Sequence, residues 1–388
     1  MASSGTIPTL DDLGDVAGKR VFVRTDFNVP LEAHDDGPAT ITDDFRIRAA
    51  LPTIEWLIER GAEVVCASHL GRPKGRPDER YSMAPLRERL AELAPGVELR
   101  ENLRFDPREE ANDPSFTAEL IDGIDIYVND AFGASHRAHA SIVGPPTELP
   151  SAMGLLLRRE VEVLLGLREK PKRPFLAVLG GAKISDKLGA IETLLKRVDA
   201  LAIGGAMCFT FFAAQGKPIG DSLFEPDQVD YCAKLLRSGG TIHLPDDITG
   251  LDANGRFATY GTRLPGGAKG FDIGPGTAAA FSDVIMDSRT VFWNGPMGMF
   301  EDERFEAGTR TVAEAMAATK AFTVVGGGDS AAAIDQFGLV DDVDHVSTGG
   351  GASLELLELG DLPGLAALRG APNASPANVS PTDVTEPT

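Results

Sequence analysis

In the first half of the chain, short apolar runs end repeatedly in arginine or histidine. Val21-Phe22-Val23 leads into Arg24-Thr25-Asp26-Phe27-Asn28-Val29-Pro30, and Arg46 opens the next helical pattern. Val64-Val65-Cys66-Ala67 leads into Ser68-His69-Leu70-Gly71-Arg72-Pro73, followed by Glu101-Asn102-Leu103-Arg104-Phe105. Ile126-Tyr127-Val128 leads into Asn129-Asp130-Ala131-Phe132-Gly133 and then Ser135-His136-Arg137-Ala138-His139. Arginine stays charged and grips carboxylate or phosphate through two parallel N–H groups. Several arginines at one sheet edge repel one another unless a polyanion lies between them. They are expected to hold a small molecule with several negative charges; ordinary surface ion pairs are the alternative. His136 and His139, three apart, could share a metal, but no third ligand is near, and they are read as support for the anion site.

The second half offers glycines and two lysines instead. Residues 175–179 run into Gly180-Gly181-Ala182-Lys183-Ile184-Ser185-Asp186-Lys187. Bare backbone after a strand lets N–H groups approach phosphate. Lys183 and Lys187, four apart, are expected on one helix face, where they repel unless an anion lies between them. This is not a Walker A loop, because GxxxxGK[ST] is absent. Residues 322–325 run into Gly326-Gly327-Gly328-Asp329-Ser330, which predicts a helix N-terminus facing phosphate, with Asp329 able to hold Mg²⁺. Ser347-Thr348-Gly349-Gly350-Gly351 opens a second anion seat, and Glu301, after Asn294-Gly295-Pro296, could bind ribose hydroxyls. Gly326, Gly328 and Ala331 also fit the degenerate dinucleotide fingerprint. The acidic partner it needs has only Asp344 as a candidate, and no second strand is evident there.

These segments need a scaffold that places loop after loop on one edge. Candidate strands at 20–23, 63–67, 124–128, 175–179, 200–203, 241–243, 291–293 and 322–325 alternate with helical patterns at 46–60, 84–93, 188–198 and 305–318. That alternation predicts an α/β fold of two doubly wound parallel-sheet lobes, with ligands beyond the carboxyl ends of the strands. The Pro-rich stretch 143–150 precedes a long helical pattern at 153–169, expected to be the hinge helix between the lobes. The expected divisions are 1–152 for anion binding, 153–169 for the helix, 170–348 for the glycine-rich lobe, 349–370 for a return to the first lobe, and 371–388 for a disordered tail.

Bulk composition narrows the partners. Net charge is −21, from 37 basic and 58 acidic side chains, so nucleic acid and anionic membranes are poor partners. Only eleven of the basic residues are lysine, an acidic, Lys-poor balance expected of a protein working in concentrated salt. Cys66, Cys208 and Cys232 form no disulfide or zinc pattern and are expected to be buried. The N-terminus shows no secretion signal, and residues 200–214, the longest apolar stretch, are too short to span a bilayer. A cytoplasmic protein is expected.

Taken together, RTDFNVP, SHLGRP, ENLRF, VNDAFGASHRAH, FLAVLGGAKISDK, WNGPMGMFE, VVGGGDS and HVSTGGGASLELLE resemble the phosphoglycerate kinase family, from Val21 to about Leu368. The resemblance implies reversible Mg²⁺-dependent transfer from 1,3-bisphosphoglycerate to ADP, giving 3-phosphoglycerate and ATP, in glycolysis and gluconeogenesis. By motif position, Asp26, Phe27, Asn28, Arg46, His69, Leu70, Gly71, Arg72, Arg104 and Arg137 would hold the acid. Lys187, Gly270, Glu301, Gly327, Gly328, Asp329 and Ser330 would hold the nucleotide. Arg46, Lys183, Gly327 and Gly350 would act on the moving phosphoryl group. It also implies a hinge-bending monomer whose C-terminal residues, near Leu362-Pro363-Gly364-Leu365, return to the first lobe; with the composition, a salt-adapted archaeal type is expected. A Rossmann-type dehydrogenase would leave both lysines and the arginine series unexplained. A two-lobed solute-binding protein would usually need a secretion signal.

Overall fold

A computed structural model describes residues 6–34 and 37–372. Most of the expected tail, 373–388, lies outside the described residues. The chain divides into two compact units. One comprises residues 1–159 with 362–388, and the other Glu160–Asp361.

The first unit is built on five parallel strands: Arg20–Thr25, Glu63–Ala67, Glu98–Leu99, Ile126–Asp130 and Ser151–Met153. They lie in the order third, second, first, fourth, fifth. The first strand is buried on both faces, which is why it reads as an unbroken apolar run. Val21 and Val23 pack with Ile47, Ile54 and Leu57 of the helix Phe45–Glu59. Phe22, on the other face, lies 5.6 Å from the Tyr127 ring, centroid to centroid.

The second unit repeats the plan with six parallel strands: Phe175–Leu179, Ala200–Ile203, Ile242–His243, Thr290–Asn294, Phe322–Gly326 and His345–Val346. Their order is third, second, first, fourth, fifth, sixth. In each sheet the strand order reverses between its first and fourth strands, and ligands in such folds bind in the crevice at that point.

Several expectations need correction. The pattern 153–169 becomes the helix Leu155–Glu169, because Ser151–Met153 pairs as a strand with Tyr127–Asn129. The division between units falls inside that helix, after Arg159. Residues 349–361 group with the second unit, since the helix Gly350–Leu359 packs on Leu188–Leu195; the return begins at Leu362. His345–Val346 is the second strand that seemed missing near the glycine triplet. An antiparallel sheet of Asp247–Leu251, Phe257–Gly261 and Lys269–Ile273 was not anticipated; it is glycine-rich and its edge strand Phe257–Gly261 is half-exposed. All three cysteines are free and buried. Among the described residues, no helix is long and apolar enough to cross a membrane.

Candidate functional site

In the first unit, the loops after the first, second and fourth strands meet at the reversal point. Asp26 opens the loop after the first strand and is 6% exposed. Arg46, from the first turn of helix Phe45–Glu59, places Nη1 2.9 Å from Asp26 Oδ2. Burial alone would raise the Asp26 carboxyl, but Arg46 and Arg24 more than reverse that and hold it at about 2. His69 is buried beside it. Desolvation, with Arg24, Arg104 and Arg46 adding to it, outweighs the pull of Asp26 and pushes the imidazole well below its usual range. His69 is therefore a neutral hydrogen-bonding group at physiological pH.

Hydrogen bonds fix the loops relative to one another. Asn28 Oδ1 accepts Gly71 N at 2.8 Å, and Ser68 Oγ accepts Phe27 N at 2.8 Å. Asn102 Oδ1 accepts Leu70 N at 3.2 Å, while its Nδ2 donates to Leu70 O at 2.7 Å. Arg104 Nη1 donates to Gly71 O at 2.8 Å. Gly71 has φ +59, and a Cβ there would fall 2.3 Å from the Tyr81 ring, so no other residue fits. Burial and nearby Arg137 push Arg104 down from the ordinary guanidinium range. Arg137 Nε donates to His136 Nε2 at 3.2 Å, and His139 lies 3.8 Å from the buried Glu109. Arg72 is exposed and makes no ion pair or hydrogen bond among the described residues. The structure thus gathers Asp26, Asn28, Arg46, His69, Gly71, Arg104 and Arg137 on one edge.

Arg24, noted in the post-strand series but given no role in the site, is fully buried beneath this edge. Its Nε donates to Ser141 Oγ at 2.9 Å, and Nη2 lies 3.4 Å from His69 Nδ1. Its place at the end of an apolar strand was the available signal. Asn102, likewise missed as a site residue, lay in plain view within ENLRF.

In the second unit, glycine backbones pack on one another. A Cβ on Gly180 would fall 2.1 Å from Pro296 O, and one on Gly205 2.4 Å from Gly181 N. Beside them lies a cavity of about 570 Å³, lined in part by Gly181, Phe209, Gly270, Met297, Glu301 and Asp329. That volume suits a small-molecule ligand. A Cβ on Gly270 would meet the Phe209 ring at 2.3 Å, so its wall must stay bare. Gly327, at φ +99, caps the helix Gly328–Gln336, and a Cβ on Gly350 would sit 3.0 Å from Gly327 Cα. Two helix N-termini therefore converge there, a natural anion seat.

The polar groups are arranged differently from the expectation in two places. Lys183 and Lys187 do not share a helix face. Lys183 is exposed in the loop, and Ser185–Lys187 forms a 3-10 turn before the helix Leu188–Leu195. Ser330 is fully buried behind the cavity, where Oγ accepts Gly295 N at 2.5 Å. Lys187 Nζ donates to Asn294 Oδ1, and desolvation pushes the ammonium down to about 8 against the pull of Asp329 and Asp186. Asn294 Nδ2 is buried without a partner beside Gly327, and an acceptor on a bound anion would satisfy it. Asp272, also missed, accepts Gly308 N at 2.7 Å, and burial pushes its carboxyl up to about 7. Among the described residues, no cluster of three or more side chains suited to a metal occurs. Asp344 accepts Thr323 N at 2.8 Å and so does not serve as a ribose ligand at the glycine triplet.

Comparison with known proteins agrees with this fold. The family model for phosphoglycerate kinase matches residues 10–100 and 95–359. A phosphoglycerate kinase of Chloroflexus aggregans is 50% identical over 394 residues, spanning 92% of this chain and 98% of its own. One of Parafrankia sp. is 50% identical over 401 residues, spanning 93% and 99%. Among solved structures, phosphoglycerate kinase from Coxiella burnetii is 36% identical with a TM-score of 0.82, covering 94% of this chain and 99% of its own. That from Pyrococcus horikoshii OT3 is 32% identical with a TM-score of 0.82, covering 94% and 98%. The relatives near half identity are bacterial, so the expected salt-adapted archaeal type finds no support.

Proposed function

Because the chain belongs to the phosphoglycerate kinase family, phosphotransferases with a carboxyl group as acceptor, we propose that it moves a phosphoryl group directly between 1,3-bisphosphoglycerate and ADP, yielding 3-phosphoglycerate and ATP. The observation that carries this is the pair of seats at equivalent reversal points. One is a neutral-histidine and arginine cluster around Asp26, and the other combines a glycine-walled cavity that Asp329 lines with Lys187, Asn294 and two convergent helix N-termini.

The acceptor in the ATP-consuming direction is a carboxylate with an ordinary pKa of about 4, ionised at neutral pH. No general base is required, and catalysis rests on alignment and positive charge. Arg46 acts from the acid seat, and Lys183 with the N–H groups near Gly327 and Gly350 from the nucleotide seat. Asp329, one carboxylate beside a phosphate seat, fits a Mg²⁺ that takes its remaining ligands from phosphates and water. Bound there, Mg²⁺ would neutralise developing charge on the nucleotide phosphates. Gly270 walls the base end and Glu301 meets the ribose. The seats belong to different units, so transfer requires movement that brings the ligands together and excludes water. The helix Leu155–Glu169, which crosses the division, is the hinge on this view. Buried Glu160 serves it by accepting His345 Nε2 at 2.8 Å and Thr348 N at 2.6 Å. The enzyme is proposed to work as a cytoplasmic monomer.

The direct test is ATP formation from 1,3-bisphosphoglycerate and ADP by the purified protein, with KCl varied. No turnover at any salt would sink the assignment. Arg72, exposed and unpaired among the described residues, should act mainly in binding. Arg72→Ala is expected to raise the acid's KM roughly 10–150-fold, for one charge-assisted hydrogen bond of roughly 1.5–3 kcal/mol, with kcat nearly kept. Lys187 predicts a pH effect. Its free-state value of about 8 must rise when a phosphate sits beside it, so binding above pH 8 takes up a proton. ADP affinity should then fall by up to about tenfold per pH unit above 8. Calorimetric titration checks this, and Lys187→Met should flatten the slope.

A further inference from the structure

We propose that Glu225 is a positioning residue for phosphoryl transfer: its carboxylate, seated on the backbone N–H groups of Ile184 and Ser185, holds the loop that aims Lys183. Glu225 lies 42 positions beyond Lys183 and outside every motif singled out in the sequence. Its Oε2 accepts Ile184 N at 2.6 Å and Ser185 N at 3.0 Å, while Oε1 accepts Ser185 Oγ at 2.5 Å. Three donors from the lysine loop thus converge on one carboxylate. Although desolvation works the other way, those donors and the charge of Lys183 hold the carboxyl below its usual range.

The loop needs such an anchor. Gly180 and Gly181 add no side chains, Ala182 and Lys183 are exposed, and regular structure starts only with the 3-10 turn at Ser185. Ile184 is fully buried and pins the loop from below, but it does not set the direction of the preceding lysine. Backbone N–H groups in this arrangement could bind an anion themselves. With Glu225 on them, the site is filled from within the protein, and a phosphoryl group meets Lys183 rather than this nest.

Glu225 is itself held firmly. Its N–H donates to Thr210 Oγ1 at 3.1 Å, and Thr210 is fully buried in the helix Cys208–Ala214. Three residues upstream, Ser222 Oγ accepts Gly270 N at 3.0 Å, and Ser222 and Leu223 line the same cavity. Residues 221–225 therefore form a strap from the bare wall at Gly270 to the lysine loop. A carboxylate so tied on both sides can transmit the shape of the nucleotide seat to Lys183, which a freely moving surface acid could not do.

The inference rests on the role given to Lys183 above, and its test separates the two. Steady-state kinetics are measured on the wild type, Glu225→Gln, Glu225→Asp, Glu225→Ala, Lys183→Ala and the double alanine variant, with Tm for each. Glutamine can still accept both N–H groups on one oxygen and donate to Ser185, so it should stay within about threefold of wild type. Alanine empties the nest and aspartate draws the carboxylate back. Both should lower kcat by roughly 10–100-fold, the cost of misplacing a catalytic group by an ångström or so, while the ADP KM moves less than about threefold. In the Lys183→Ala background, Glu225→Ala should add less than about threefold, because the two act through one group. An equal loss in both backgrounds, or unchanged kcat in the aspartate variant, would overturn the role of Glu225 while leaving the kinase assignment intact. If alanine prevents folding, the aspartate and glutamine variants still decide. An inactive wild type would defeat the kinase assignment and this inference with it.

Discussion

Lys183→Ala should lower kcat by about 10²–10³, the loss of roughly 2.7–4 kcal/mol that follows removal of one group aimed at developing transition-state charge. Nucleotide affinity should change little. The cavity wall at Gly181, Gly270 and Met297 and the seat at Lys187 and Gly327 do not involve the Lys183 side chain. Lys183 is exposed and bonded to nothing among the described residues, so its removal leaves no buried orphan and should not shift Tm appreciably. Steady-state kinetics in both directions, with ADP binding followed by calorimetry, provide the check. A kcat near the wild-type value would refute the role. Detection of a competent phospho-enzyme would replace direct transfer with another route.

Arg46→Ala should be as damaging to kcat and should also cost stability, because Arg46 has two functions on the proposed reading. It supplies charge at the acid seat, and it neutralises Asp26 at 2.9 Å. Breaking a buried pair by removing one partner typically costs about 3–5 kcal/mol, and the loss here should fall short of that because Arg24 remains. The sign with pH follows from the depressed carboxyl. A folded-state value of about 2, below an unfolded value of about 3.9, contributes stability that is complete above the unfolded value. That contribution is lost as pH falls through the folded one. Without Arg46 the depression shrinks, so stability at neutral pH drops and acid unfolding begins at higher pH. Circular dichroism along a pH series should show that shift, and an unmoved transition would mean that Arg24 alone governs Asp26.

The core of each unit was legible because its central strands are buried on both faces. Val21-Phe22-Val23 and Phe175–Leu179 can only be apolar throughout, and the loop chemistry begins where that constraint ends. Edge strands such as Glu98–Leu99 and Ile242–His243 are too short to leave a period. The antiparallel sheet 247–273 carries Thr249, Gly250, Thr259 and Gly261, a composition that reads as loop. Lys183 and Lys187 misled because helical spacing was assumed where a carboxylate from far along the chain shapes a tighter turn. Ser330 was placed against the ligand by its neighbours; its buried Oγ accepts Gly295 N. Asn294 and Glu225 could not be assigned locally, because their importance lies in partners more than 30 residues away.

The C-terminal helix Pro363–Arg369 packs on Ala140–Val143 and Pro145–Thr147, and Gly364 N donates to Ser135 O at 2.9 Å. It thereby closes over the loop that carries Arg137. On the ribosome this cover leaves the exit tunnel only after the whole intervening unit has been made. At 5–20 residues per second, the roughly 200 intervening residues impose a delay of about 10–40 s. Throughout that interval the acid seat stands on an unfinished unit, with apolar surface at Ile142 awaiting its cover. A newly made chain should therefore acquire a sound nucleotide pocket before a sound acid pocket, and chaperones should meet it first at the N-terminal half.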